Sequence, residues 1–272
     1  MDVLTSKRFE FSSAHRYWNP DWSAERNLEV FGKCTNPYGH GHNYVLEATV
    51  AGPVDAATGM VINVVDLKRI VGQVLEGFDH KHLNEDTPYF QDRQPTTENI
   101  VQTLWSLIAP RLPEGVRLHR LRLYETPTIF ADFYGGATAT FSRSYSFSAA
   151  HRLDSAQLTP DENVALYGKC NNLKGHGHDY RFEVTVEGPV DPASGMVINL
   201  TDLDAAVQPL LDELDHTHLD RQHAFFQERP STAENVVVYL WQRLSAAIGP
   251  GLRWIKLWET PNNIFEFGVR EP

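Results

Sequence analysis

The chain has 272 residues, of which 42% are hydrophobic and 22% charged, a composition typical of a soluble globular protein with one large domain or two ordinary ones. No stretch is long and apolar enough to span a membrane, and no apolar signal core follows Met1, so we expect a cytoplasmic protein with no membrane partner. The net charge of −11 argues against nucleic-acid binding, and an anionic substrate would need a local basic lining.

The sequence contains the same module twice. A shift of 136 residues aligns His15 with His151 and Cys34 with Cys170, and ten of the 12 histidines pair in this way. A repeat of this length indicates tandem domains rather than a solenoid. We therefore predict a first module over residues 1–137 and a second over residues 138–272.

Hydrophobic patterning predicts the elements of the first module in chain order. They are a strand over 4–13, a polar and aromatic loop over 17–30, a strand over 43–51, a short strand over 60–63, a helix capped by Asp66, a helix from about Thr96, and strands over 116–124 and 129–133. The second module repeats this order, and Pro209 is expected to kink or shorten its first helix. The pattern predicts an α+β fold in which each module is an antiparallel β-sheet with two helices on one face.

Three histidines of each module lie where two predicted strands meet. His15 ends one strand, and His40 and His42 begin the next, where residues two apart share a face. Neighbouring strands lie about 4.8 Å apart, so the three imidazoles can converge on one ion. The second module has the same set, His151, His176 and His178. Three neutral imidazoles with an open fourth position are typical of a catalytic zinc site, although the sequence leaves other divalent ions open.

One cysteine precedes the His-x-His pair in each module. Lys33 and a nearby metal are expected to lower the pKa of Cys34 and so to make its thiolate a base or nucleophile. Cys170 has the same surroundings. The alternatives are a disulfide between the two or a small buried side chain, and both are less typical of a cytoplasmic protein with a polar, glycine-rich loop here.

Carboxylates form the remaining candidates. Asp79–His80 and Asp215–His216 follow the first helix of each module, where an aspartate can orient a histidine for acid–base work or the pair can simply end the helix. Glu98 and Glu234 begin the second helix, and Ser231 to Glu234 also fits a structural capping box. Glu125 and Glu259 each end a closing strand of their module. Such a carboxylate could accept two hydrogen bonds from an amino-heterocycle, or it could simply be solvated.

As a set, these motifs resemble the 6-pyruvoyltetrahydropterin synthase family over nearly all of both modules. The matching motifs are Phe-Ser-Ser-Ala-His-Arg and Phe-Ser-Ala-Ala-His-Arg, Gly-Lys-Cys, Gly-His-Gly-His, Asp-His, Thr-Glu-Asn or Ala-Glu-Asn, and Glu-Thr-Pro. The resemblance implies the tunnelling fold (T-fold), whose modules assemble into rings with sites between neighbouring modules. It therefore implies a homo-oligomer, in which three two-module chains would build what six ordinary subunits build.

The resemblance also implies a role for each motif. Zinc would bind to His15, His40 and His42, and to His151, His176 and His178. The catalytic base would be Cys34 or Cys170, aided by Asp79–His80 or Asp215–His216. The pterin ring would be anchored by Glu125 or Glu259, helped by Glu98 or Glu234.

The implied activity is that of a lyase. In the family, 7,8-dihydroneopterin triphosphate loses triphosphate and its side chain is rearranged to a diketone, a step of tetrahydrobiopterin biosynthesis. A sister activity of queuosine biosynthesis, 6-carboxytetrahydropterin synthase, uses the same scaffold with fewer residues between the cysteine and the histidine pair. Five residues separate Cys34 from His40, which favours the pyruvoyl enzyme. A non-catalytic zinc- or pterin-binding scaffold is the other alternative, although neither module lacks a motif.

The first module departs from the family pattern at two places. Thr128–Ile129 stands where the second module has Asn262–Asn263. In the loop over 17–30, the first module has Tyr17, Trp18 and Trp22 where the second module has Leu153, Asp154 and Leu158. These departures predict that the first site takes a different substrate or turns over more slowly.

Overall fold

A computed structural model describes residues 1–269 of the protein. The residues form two compact units, the first of Met1–Ser142 with Glu187–Asn199, and the second of Arg143–Val186 with the residues from Leu200 onward. A thirteen-residue segment of the second sequence repeat, residues 187–199, thus belongs to the first unit. The predicted module boundary at residues 137 and 138 stays a prediction, and the last three residues of the predicted second module lie outside the described range.

The first repeat contains five strands and four helices within the described residues. They are β1 (Val3–His15), α1 (Ala24–Phe31), β2 (His40–Gly52), α2 (Val64–Leu75), β3 (Lys81–His82), α3 (Leu83–Asp86), α4 (Thr97–Ile108), β4 (Arg117–Thr126) and β5 (Ile129–Phe133). Strands β1, β2, β4 and β5 pair antiparallel in the order β5–β4–β2–β1, and the two-residue β3 pairs parallel with β1.

The second repeat follows the same order with one additional short helix. Its elements are β6 (Ala139–His151), α5 (Pro160–Tyr167), β7 (His176–Gly188), α6 (Leu200–Leu214), β8 (Thr217–His218), α7 (Leu219–Gln222), α8 (Ala224–Gln227), α9 (Ala233–Ile248), β9 (Leu252–Thr260) and β10 (Asn263–Gly268). The strand order here is β10–β9–β7–β6, with β8 beside β6.

Helix packing confirms the predicted α+β module. In α2 the buried side chains recur at helical spacing, as the sequence predicts, and are Leu67, Ile70, Val71, Val74 and Leu75. Helices α2 and α4 pack on the sheet and on each other, and their apolar faces join the inward residues of β2 and β4 in one core. Each module is therefore an antiparallel sheet with its two longer helices on one face, as the sequence predicts. None of the helices within residues 1–269 combines the length and apolar character needed to cross a membrane.

Three local predictions are wrong. Residues 60–63 form no strand but an irregular approach to α2, whose N-cap is Asn63 rather than Asp66, since the Asn63 side chain accepts from Val65 N at 2.9 Å. The loop predicted over 17–30 contains α1, which Ser23 caps. Pro209 does not shorten α6, which has 15 residues where α2 has 12, and the kink expected there stays a prediction.

Candidate metal centre and active site

In the first module the three predicted metal ligands converge at one end of the β1–β2 pair. The antiparallel register places His15 opposite His40 and Ser13 opposite His42, so the three imidazoles reach one face. The Nε2 atoms of His15 and His40 lie 3.1 Å apart, and the ring centroids of His15 and His42 lie 5.0 Å apart. One nitrogen of each ring lies within 4.8 Å of the other two, which suits a single ion.

The second module repeats this arrangement. The Nε2 atoms of His151 and His176 lie 3.1 Å apart, and the ring centroids of His151 and His178 lie 5.1 Å apart. These three histidines form the second group of possible metal ligands within residues 1–269. The two triads therefore agree in geometry as well as in sequence.

The first glycine of each Gly-His-Gly-His motif makes room for the triad. Gly39 has a φ of +70°, and a Cβ atom there would lie 2.7 Å from the His15 carbonyl oxygen and 2.7 Å from His82 Nε2. Gly175 has a φ of +79°, and its Cβ would lie 2.9 Å from the His151 oxygen. Only glycine combines this left-handed backbone with so close an approach, so the residue is needed to bring the next histidine onto the first strand.

Burial prepares the innermost histidine to bind a cation. His15 Nδ1 donates to the Pro95 carbonyl oxygen at 3.0 Å, which leaves Nε2 as the ligand atom, and His151 Nδ1 makes the same bond to Ser231 at 2.8 Å. Burial lowers the pKa of His15 to about 4 and also lowers the pKa of His151, so both rings are neutral at pH 7. His42 Nε2 is buried without a hydrogen-bond partner in the described part of the protein. These donors fit a divalent metal of the zinc type.

A cysteine lies at the rim of the first triad. Cys34 belongs to a 3-10 turn over Gly32–Thr35, its Sγ lies 4.0 Å from His40 Nε2, and its carbonyl oxygen accepts from Tyr17 N at 2.9 Å. Leu153 N makes the same bond to Cys170. Both cysteines are free thiols.

The expected effect of Lys33 on the thiol is wrong. Burial and the negative charge of Glu125 raise the pKa of Cys34 to about 11, while the Lys33 side chain is exposed and offers no compensating shift. The residues around Cys34 thus keep it protonated at neutral pH, and an additional positive charge is needed to form the thiolate.

The carboxylate at the end of each closing strand lies beside the triad. Glu125, on β4, has Oε1 at 3.6 Å from His42 Nε2, and its Oε2 accepts from Thr97 Oγ1 at 2.6 Å and from Tyr17 OH at 3.3 Å. Glu259, on β9, has Oε1 at 3.9 Å from His151 Nε2 and 3.9 Å from His178 Nε2. Both glutamates therefore lie within 4.0 Å of an imidazole of the triad, with one carboxylate oxygen directed to it.

The two glutamates that begin α4 and α9 differ sharply in environment. Glu98 is 2% exposed and its Oε1 accepts from Val197 N at 3.0 Å, whereas Glu234 is exposed. Burial raises the pKa of Glu98 to about 7, and the Glu125 charge adds to this shift. The capping box predicted at Ser231 is wrong, because Thr232 caps α9 and Ser231 donates to Asp220 instead.

The segment from the second repeat accounts for that burial. Within the first unit, the Gly195 oxygen accepts from Thr96 Oγ1 at 2.5 Å, and the Ala193 oxygen accepts from Asn19 Nδ2 at 3.0 Å. Asn199 Nδ2 donates to the Val30 oxygen at 3.0 Å, and Met196 packs against the cluster of Tyr17, Val30 and Phe31. Residues 187–199 therefore cover one side of the first site.

In each Asp–His pair the aspartate contacts its own histidine. In each module the aspartate and the histidine Nδ1 are 2.9 Å apart, and the histidine side chain is 82% exposed. Both histidines have a left-handed backbone, with a φ of 56° at His80 and 59° at His216, a conformation that is strained for a residue other than glycine. Within residues 1–269 neither hydrogen bonds nor ion pairs connect Asp79–His80 to Cys34 or to the triad.

Comparison with known proteins settles the family. A family model described as 6-pyruvoyl tetrahydropterin synthase matches the sequence twice, over residues 4–136 and 140–269. The chain belongs to the 6-pyruvoyl tetrahydropterin synthase family. It carries two tandem copies of the family's module.

Individual relatives match over about the length of one module. The human 6-pyruvoyl tetrahydrobiopterin synthase is 48% identical over 122 residues, which are 44% of this chain and 83% of the human protein. A putative 6-carboxy-5,6,7,8-tetrahydropterin synthase of Archaeoglobus fulgidus is 36% identical over 111 residues, 41% of this chain and 87% of that protein. The solved 6-pyruvoyl tetrahydropterin synthase of Caenorhabditis elegans aligns with a TM-score of 0.48 and 41% identity, and covers 51% of this chain and 100% of its own.

Sequence reasoning missed three contacts of this candidate site. Thr97 and Tyr17 contact Glu125 although they are 28 and 108 residues away along the sequence. Val197 reaches Glu98 from the other repeat, 99 residues away. The sequence did contain a signal for these contacts. Tyr17 and Thr97 stand where the second module has Leu153 and Ala233, so the first module alone has a side-chain hydroxyl at both places.

Proposed function

We propose that the protein is a zinc-dependent 6-pyruvoyltetrahydropterin synthase that acts on 7,8-dihydroneopterin triphosphate with loss of triphosphate. The observation that carries the proposal is that both modules of this family's scaffold bring a histidine triad and a glutamate together. A free cysteine also stands six residues before the first histidine of the His-x-His pair in each module. The proposed location is the cytoplasm, and no nucleic acid or membrane is proposed as a partner.

The protein's own residues divide the chemistry between them. Glu125 or Glu259 accepts hydrogen bonds from the amino-heterocycle and so fixes the ring against the triad. Cys34 or Cys170 then acts as a thiolate and removes a proton from a carbon atom of the substrate's substituent, triphosphate leaves, and Asp79–His80 or Asp215–His216 exchanges the hydroxyl proton. A zinc ion on the three imidazoles supplies the positive charge and Lewis acidity that these groups lack.

We also propose that the protein assembles head to tail. The segment 187–199 covers the first site, while the equivalent segment of the first repeat, residues 51–63, is exposed at Met60 (41%) and Val54 (49%). The surface equivalent to Val30 is likewise open, with Leu166 65% exposed where Val30 is 8% exposed. The segment 51–63 of one copy can therefore cover the open surface around Leu166 of another copy. Such a contact is heterologous, and repeated contacts of this kind can close into a ring. Three copies would form six modules, and the exposed His80 and His216 would face sites of neighbouring subunits.

The decisive experiment identifies the product. Zinc-loaded protein is incubated with dihydroneopterin triphosphate, and the pterin product and free triphosphate are measured. A pyruvoyl product with stoichiometric triphosphate is expected, while a 6-carboxy product would favour the sister activity, which the Archaeoglobus relative represents by name. Absence of turnover, or turnover undiminished in a Cys34→Ala, Cys170→Ala double variant, would rule out the proposed mechanism.

A further inference from the structure

The anchoring carboxylates of the two sites have different hydrogen-bond partners. Glu125 Oε2 accepts from Thr97 Oγ1 at 2.6 Å and from Tyr17 OH at 3.3 Å, a long bond for a hydroxyl. Glu259 Oε2 accepts from Asn263 Nδ2 at 3.2 Å. The second module has Leu153 and Ala233 at the places of Tyr17 and Thr97, and neither of these residues has a hydrogen-bond donor beyond its backbone.

The Tyr17 phenol is held in position by its neighbours. Tyr17 is 6% exposed, and its backbone N donates to the Cys34 oxygen at 2.9 Å. The ring meets His15 edge-on at 4.8 Å between centroids and Phe31 at 5.7 Å, and Trp22 stacks on Phe31 at 5.5 Å. An aromatic cluster of this kind fixes the hydroxyl beside Glu125 rather than letting it swing away.

A count of acceptor sites shows what remains for a ligand. Each carboxylate oxygen accepts about two hydrogen bonds. Thr97 and Tyr17 occupy both sites of Glu125 Oε2, so only Oε1 is open to a ligand at the first site. At Glu259, Oε1 is open and Oε2 retains one site, so an amino-heterocycle with two adjacent N–H donors can bind to both oxygens at once.

We propose that Tyr17 is a specificity-determining residue that makes the first site indifferent to the 2-amino group of the ring. The inference rests on the proposed pterin-binding role of Glu125 and Glu259. At the first site the ring N–H bonds to Oε1, and the position of the amino group faces the Tyr17 hydroxyl. The phenol has one O–H, which can turn from its long bond with Glu125 Oε2 to a ring carbonyl, and its oxygen can instead accept from an amino group. The first site therefore takes dioxo-heterocycles as well as amino-oxo ones. The second site requires the amino group.

The test compares two ligands on proteins with a single working site. Full-length zinc-loaded Glu259→Gln retains only the first site and Glu125→Gln only the second, and binding of pterin and of lumazine (the 2,4-dioxo analogue) is measured by fluorescence titration. At the second site pterin is expected to bind about 10- to 100-fold more tightly than lumazine, because the analogue leaves a carboxylate oxygen unpaired. At the first site the two dissociation constants are expected to agree within about threefold.

A variant within the cluster separates the hydroxyl from the packing. Tyr17→Phe in the Glu259→Gln protein is expected to restore discrimination to the level of the second site, because phenylalanine keeps the ring in the cluster and removes only the hydroxyl. Equal discrimination at both sites, or no change with Tyr17→Phe, would overturn the role of Tyr17 and leave the proposed function intact. Failure of both single-site proteins to bind pterin would overturn the proposed function together with this inference.

Discussion

At the scale of single residues, burial decides which groups carry charge. His15 is fully buried and neutral, and its Nδ1–H is bound to Pro95, so the ring offers Nε2 to a cation without a competing proton. Cys34 shows the opposite consequence, because the same burial raises its pKa to about 11 and leaves a thiol that needs a cation nearby. The triad is therefore prepared to bind a metal ion, and the proposed thiolate base needs such a cation to form.

Replacement of a triad histidine should remove one metal ion and leave the other. We expect His15→Ala to lower bound zinc from two ions per molecule to one, because two imidazoles and water bind zinc far more weakly than three imidazoles do. Metal content after gel filtration, measured by mass spectrometry, checks this. His119→Ala is the control, since His119 lies on β4 outside both triads and should retain two ions. Two ions in His15→Ala would contradict the assignment.

Buried Glu98 should make stability depend on pH. Its pKa is about 7 in the folded protein against an ordinary value of 4.5, so the folded state binds the proton more tightly and stability is lost as pH rises from about 4.5 to 7. Glu125 is the neighbouring charge that adds to the shift. Glu98→Gln keeps the acceptor for Val197 N and should remove this loss, which is up to about 3 kcal/mol.

The measurement is the free energy of unfolding by urea at several pH values. Glu234→Gln serves as the matched control, because Glu234 begins the equivalent helix and is exposed. We expect the Glu98→Gln and wild-type curves to diverge above pH 5, and the control to follow the wild type. Parallel curves for all three proteins would show that Glu98 ionises freely.

At the scale of elements, the turn before β2 places the histidines of the triad. The β1–β2 register puts His15 opposite His40 only if the preceding residue can pass close to the His15 carbonyl. Gly39 does so with a left-handed backbone, and Gly175 repeats it in the second module. Helix starts are equally local, since Thr96 and Thr232 cap α4 and α9 by the same bond to the third residue.

A methyl group at Gly39 should therefore disrupt the site more than one at Gly59. Both glycines have a φ near +70°, at 70° and 72°, but a Cβ at Gly59 meets nothing within 4 Å whereas one at Gly39 meets backbone at 2.7 Å. We expect Gly59→Ala to cost about 1 kcal/mol of unfolding free energy and Gly39→Ala about 2–4 kcal/mol, with loss of zinc only in the second case. Equal costs and full zinc in both variants would contradict the close-approach argument.

At the scale of the whole molecule, the sequence repeat and the compact unit do not coincide. Residues 187–199 come from the second repeat and belong to the first unit, where they bury Glu98 and Val30. The equivalent groups of the second repeat, Glu234 and Leu166, are exposed. Exposed Met60 and Leu166 are the apolar groups expected in a contact between subunits.

Charges at that contact should dissociate the assembly. Met60→Glu and Leu166→Glu are each expected to convert a three-subunit particle into the 30.8-kDa monomer, because burying an unpaired carboxylate against an apolar surface is costly. Analytical ultracentrifugation measures the mass. Leu28→Glu is the control and should leave the mass unchanged. Leu28 is 60% exposed, but it lies in the first repeat, where the segment 187–199 already covers the equivalent surface. A wild-type monomer, or unchanged mass in both variants, would refute the head-to-tail model.

The sequence alone determines the repeat, the α+β module and the positions of the two histidine triads. These follow from local rules, since residues two apart on a strand share a face and apolar side chains at helical spacing define the buried side of a helix. Local rules failed where a capping side chain or turn competed with the pattern, as at Asn63 and in the loop that contains α1.

Only the tertiary structure decides how the two sites differ. Glu98 and Glu234 occupy the same place in nearly identical motifs, yet one is buried and the other exposed, because a segment 99 residues away covers the first. The contact of Tyr17 with Glu125 likewise joins residues 108 positions apart. Burial and long-range hydrogen bonds set the pKa and the free acceptor sites of a carboxylate, and neither quantity is encoded in the residues next to it along the sequence.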